Sequence, residues 1–156
     1  LLIAGSIAWS LDLFRPVGLV LFSEQFAAGA FGIGLGLTFL RFRSNRKASA
    51  VPWYDWLLAG ASLVLLGYVT AYFPHLTAIS GTVNAETMVL SVGITLLTLE
   101  GTRRTIGWSL VIILLVLGGY VLVGHLVPGD LQTRKVDLGE LLAYLNLDNN
   151  GLLGLI

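Results

Sequence analysis

Glu100, Arg103 and Arg104 fall within five residues of one another in LEGTRRTIGW (99–108), between two apolar runs. An acid followed by bases three and four positions later suits an ion pair along one helical face. In a membrane the same acid suits an ion relay. The pairing is expected here, because it offsets an acid placed at the C-terminal end of a helix. Asp55, in the stretch WYDW (53–56), is a second isolated acid. It suits the first turn of a helix, where the positive end of the dipole favours a carboxylate and Pro52 is well placed; a ligand-binding role is the other possibility. The two histidines, His75 and His125, stand at ends of apolar runs and read as polar caps. The sequence shows no nucleophile with a neighbouring histidine base and no paired carboxylates inside an apolar run. It shows no metal cluster, P-loop or dinucleotide fingerprint. The absence of cysteine rules out disulfides and thiolate-bound metals. The expectation is a protein that is not an enzyme and carries no cofactor.

Composition says what must position these residues. Of 156 residues, 56% are hydrophobic and only 12% charged, against about 25% charged in a soluble domain. The mean hydropathy is +0.86. The chain reads as an integral membrane protein, all-α, because a backbone in lipid must satisfy its own hydrogen bonds. Five apolar segments occupy residues 1–14, 22–40, 56–73, 83–99 and 106–127. The first is shorter than the ~20 residues of a crossing and reads as a truncated span. The others predict four full spans.

The connections orient the bundle. Arg41, Arg43, Arg46, Lys47, Arg103 and Arg104 fall on one side if the spans alternate, against Arg15, Arg134 and Lys135 on the other. The positive-inside rule places loops 41–47 and 103–104 in the cytoplasm. Beside a span, the basic loop sets topology and touches anionic lipid rather than nucleic acid. Trp53, Tyr54, Trp56 and Trp108 then sit at the cytoplasmic interface, with Tyr72 and Phe73 at the outer one. Two pairs at four-residue spacing, Gly32 with Gly36 and Ala30 with Gly34, favour close helix packing. After the loop VPGDLQTRK (127–135), Asp137 and Glu140 resemble a capping box. Leu138, Leu141, Leu142 and Leu145 fall on one helical face, which predicts a short amphipathic helix on the outer membrane surface or against another domain. Asn149, Asn150 and Gly151 are expected to end it, and residues 151–156 read as the start of a further apolar segment.

Four motifs in order carry a family resemblance: PWYDWLLA (52–59) opening a span, LEGTRRTIGW between two spans, Tyr120 followed by HLVPG (125–129), and YLNLDNNGLLG (144–154). Over residues 51–156 this resembles the N-terminal part of the fused permease of TRAP transporters, in the TAXI branch. The resemblance implies residues 1–127 as a small membrane-region bundle. Residues 128–156 would be an extracytoplasmic loop, an amphipathic helix and the start of a link to the large transport domain. It implies a multi-pass inner-membrane scaffold beside that large domain, in an importer of small organic-acid-like solutes. Such importers depend on an extracytoplasmic substrate-binding protein and a sodium (or proton) gradient. The family's ion and substrate residues lie in the large domain, so none transfers to this chain. A small integral subunit or assembly factor of another membrane complex is the alternative.

Overall fold

A computed structural model describes residues 11, 23–42, 52–79, 84–127, 132–148 and 151. Among those residues every regular element is a helix and there is no strand. Helix α1 spans Ser23–Arg41, α2 Trp53–Ile79, α3 Ala85–Thr105 and α4 Trp108–Val123, which runs on into a 3-10 turn at Gly124–Leu126. A last helix, α5, spans Leu138–Leu147. Two of them are long and apolar enough to cross a membrane: Trp53–Leu76, with mean hydropathy 1.7, and Trp108–Leu126, with 2.3. Helices α1 and α3 have 19 and 21 residues, but Glu24, Gln25 and four glycines dilute the first, and Glu86, Glu100 and two arginines the second. The truncated first span lies outside the described residues apart from Leu11.

Helix α1 packs most extensively on α2. A Cβ on Gly32 would sit 2.9 Å from Leu66 Cβ, and one on Gly36 would sit 3.4 Å from Ser62 Oγ. The Gly32–Gly36 pair therefore lets the two backbones approach. Gly34 faces elsewhere: a Cβ there meets nothing within 4 Å, so the Ala30–Gly34 spacing does not make this contact. Helix α3 closes on both neighbours through glycines too, Gly93 under Leu65 of α2 and Gly101 under Leu35 of α1. Phe39, Leu66, Val69, Leu76 and Ile94 form the buried centre of this three-helix packing.

Helix α2 bends. Tyr72 leaves helical geometry (φ −110°, ψ 19°) two residues before Pro74. Proline has no N–H to give the carbonyl four residues back, which is that of Thr70. The amide of Gln25, itself buried on α1, donates to Thr70 O at 2.8 Å instead. A part-buried carbonyl deprived of its helical donor by a proline is thus satisfied from the neighbouring helix.

Helices α3 and α4 are joined by only Ile106 and Gly107. Both N–H groups bond Thr102 O, at 2.9 and 3.2 Å. Gly107 has φ +108°, a conformation open to glycine and strained for other residues. Helix α4 is apolar all round and largely exposed, with Val111 its one buried residue, as suits a lipid-facing helix.

Helix α5 corrects two expectations. Asp137 occupies the N-cap position but its side chain makes no capping bond, and Glu140 reaches back to Arg134 at 3.4 Å. There is no capping box. The helix also packs on α3 of this bundle, and through a face other than the leucine face. Its buried face is Gly139, Ala143, Asn146 and Leu147. Asn146 Nδ2 donates to Thr95 Oγ1 of α3 at 2.8 Å. The face carrying Leu138, Leu141, Leu142 and Leu145 instead lines an apolar cleft of about 500 Å³ shared with α3 and α4. The helix stops at Leu147, and the N–H of Gly151 bonds Asp148 O at 2.9 Å. Asn149 and Asn150 lie outside the described residues.

Candidate functional site

Four charged side chains gather where the ends of α1, α2, α3 and α4 meet. Asp55 comes from the first turn of α2, its N–H bonded to Pro52 O at 3.0 Å. Glu100, Arg103 and Arg104 come from the last two turns of α3. The helix continues unbroken to Thr105, so positions three and four apart share a face. Glu100 Oε2 accepts from Arg103 Nε at 2.7 Å. Its Oε1 accepts from Arg103 Nη2 and from Arg104 Nε, both at 2.7 Å. Arg104 then turns inward, and its Nη1 donates to Asp55 Oδ1 at 2.7 Å. The side chains of Arg104 and Asp55 are 4% and 0% exposed.

Aromatic rings and a carbonyl complete the enclosure. The Arg104 guanidinium lies 5.1 Å over the Phe39 ring of α1, and its Nη1 is 3.4 Å from Phe42 O. The Arg103 guanidinium lies 5.5 Å over Trp108, the first residue of α4. Such stacking exploits the negative face of the ring. Two acids and two bases make the cluster neutral, and a planar guanidinium with five donors suits this many partners. Burying a charge is costly unless it is paired and hydrogen-bonded; here Arg104 is paired twice. A guanidinium does not deprotonate in a protein, so the group linking the two carboxylates cannot hand a proton between them. The arrangement can clamp helix ends. Its inner pair, Arg104 and Asp55, is closed to solvent, while Glu100 and Arg103 are partly exposed.

The other residues singled out in the sequence stand apart from the clamp. Arg41 is in the last turn of α1 and exposed. Arg43, Arg46 and Lys47 lie outside the described residues. Trp53, Tyr54 and Trp56 point outward on the first turns of α2, the rings of Trp53 and Tyr54 edge to face at 6.3 Å. His125 Nδ1 lies 3.0 Å from Leu122 O, while His75 is exposed. Among the described residues no group of three or more His, Asp or Glu side chains converges as a metal site.

Sequence reasoning did not foresee the Asp55–Arg104 bridge, or the part of Phe39 in it. The signal was available: alternating spans put the start of α2 and the end of α3 on one side, each with a charge next to an apolar helix. Gln25 was also missed, although a proline inside an apolar run announces an orphaned carbonyl. No family model, curated protein or solved structure matches the chain.

Proposed function

We propose that this chain is the membrane scaffold region of a cation-coupled, binding-protein-dependent secondary transporter of the TRAP type. In this reading α1 to α4 are four spans of an inner-membrane bundle, with α1 and α3 the more polar inner pair and the clamp on the cytoplasmic side. The bundle is the fixed partner of a large transport domain that carries the ion and solute sites. The solute is a small organic acid, captured outside by a binding protein. The ordered motifs of residues 51–156 support the family reading.

The observation that carries the scaffold role is the clamp. A transport site presents polar groups to the solute at the bilayer midplane. Here the buried charges sit at the helix ends and are spent on one another, which supports a rigid frame. The test is uptake of a panel of radiolabelled small organic acids into proteoliposomes under a sodium gradient. This chain alone should give none. Uptake should appear when the large domain and the binding protein are added. Uptake by this chain alone would overturn the scaffold role. No uptake by the complete set would overturn the transporter reading.

A further inference from the structure

We propose that α5 is a re-entrant helix: it returns from the outer face into the bilayer, is pinned to α3 by Asn146, and brings its C-terminal end at Leu147 to the depth of the membrane middle. The inference rests on the reading that α4 crosses the membrane. It departs from the surface helix that the amphipathic pattern predicts.

The depth follows from what α5 faces across the cleft and what it bonds on α3. The cleft beside it is walled by Leu114, Leu115, Gly118 and Leu122 of α4. These lie in the middle and outer half of Trp108–Leu126, the most apolar candidate span. A helix lying on the surface would meet only the end of α4. The α3 contacts agree. Thr95, which accepts from Asn146, is ten residues past Ala85, about 15 Å along a helix. That is half of a hydrocarbon core of about 30 Å. Ten residues of α5 span about the same distance, so the helix has the length to descend that far and no further.

The chemistry of α5 suits that depth. Asn146 is buried and its Nδ2 serves three acceptors: Thr95 Oγ1, Leu142 O at 2.9 Å and Ser91 O at 3.4 Å. An amide that bridges two helices is the usual polar glue of membrane packing, since its alternative in hydrocarbon is an unpaired polar group. The buried face of α5 carries Gly139, Ala143 and Leu147 besides this amide, and the first two are small, as suits close helix packing. On the faces left open stand Leu138, Tyr144 and Leu145, which suits acyl chains. Of the charges flanking α5, Arg134, Lys135, Asp137 and Glu140 precede or occupy its first turn, at the end that stays near water, and the C-cap Asp148 alone is carried to the deep end.

The chain has no cysteine, so single-cysteine variants of the intact protein test this directly. Lys135→Cys, Tyr144→Cys, Leu145→Cys and Val116→Cys are labelled in membrane vesicles, in both orientations, with a charged maleimide, and again after SDS denaturation. Tyr144, Leu145 and Val116 are all exposed on the protein itself, so only lipid or a membrane partner protects them. Lys135→Cys should react readily. The other three should react roughly tenfold slower or worse until SDS is added, because apolar surroundings suppress the thiolate. Fast labelling at 144 and 145 with 116 protected would overturn the re-entrant helix alone. Fast labelling at 116 would overturn the crossing of α4, and this inference with it. Adding Asn146→Leu should speed labelling at 144; no change would remove Asn146 as the pin.

Discussion

Arg104, in the last turn of α3, holds Asp55, in the first turn of α2, at 2.7 Å across 49 residues of chain. Both side chains are shut away from solvent. The bond ties two helix ends that no short loop joins, and Glu100 fixes the arginine from its other side. A pair this deep is weak grounds for net stability, because desolvation cancels much of the attraction, yet losing one member leaves a naked charge.

That asymmetry gives a prediction. Asp55→Leu or Arg104→Leu alone should cost about 3–5 kcal/mol, the usual penalty for breaking a buried pair from one side. The Asp55→Leu/Arg104→Leu double variant should be less damaged than either single one. Unfolding by SDS in mixed micelles measures all three. A double variant as unstable as the sum of the singles would show that the two residues act independently.

Glu100 should matter less. Its carboxylate is 27% exposed and Arg103, its outer partner, 33%, so water replaces part of what is lost. Glu100→Gln keeps the shape while removing the charge and one of the two accepting oxygens. About 1–2 kcal/mol is expected, near the lower range for a hydrogen bond to a charged group. A loss equal to that of Arg104→Leu would mean that Glu100, not Asp55, holds the arginine.

Arg103→Glu/Arg104→Glu tests orientation. It removes two positive charges that the positive-inside rule would place in the cytoplasm and sets two new acids beside Glu100 and Asp55. Like charges at helical spacing repel, and the inner side loses part of its positive bias. A reporter fused after residue 127 should show reduced outward display, with less protein assembled. Normal display at normal yield would separate these arginines from topology.

Some of this was legible in the residue order and some was not. The Glu100–Arg103–Arg104 spacing needs only a helix, so a local rule reaches it. Gly32 and Gly36 were legible as a packing pair for the same reason, but the identical spacing of Ala30 and Gly34 was not distinguishable from it. Which face meets α2 depends on Leu66 and Ser62, some thirty residues away. The apolar face of α5 was legible as a face, but the face that meets α3 was not. In a membrane the leucine side can face lipid or a cleft while Gly139, Ala143 and Asn146 make the protein contact, the reverse of a helix in water. Asp55 needed a partner from another helix, which local spacing cannot name.

The two glycines on opposite sides of α1 make a matched pair. Gly32→Ala puts a Cβ 2.9 Å from Leu66 Cβ, and the backbones must part, at about 1–3 kcal/mol. Gly34→Ala meets nothing within 4 Å and gains helix propensity, up to about 1 kcal/mol. SDS unfolding should therefore move in opposite directions for the two. The same direction for both would mean that α1 does not sit on α2 by its Gly32 face.

Gln25 and Pro74 should behave as one unit. Gln25→Leu leaves Thr70 O, already deprived of a helical donor by Pro74, without its 2.8 Å amide partner. A buried carbonyl left unpaired costs about 1–3 kcal/mol, and this part-buried one should fall near the lower end. In a Pro74→Ala background the alanine N–H returns to that carbonyl, and the same Gln25→Leu change should cost much less. The coupling read from the four-member cycle should be about 1 kcal/mol or more, within the range of directly interacting residues. It has a definite sign, because the glutamine is needed only while the proline is there. A cost for Gln25→Leu that is the same in both backgrounds would show that the amide serves α1 packing and not the bend in α2.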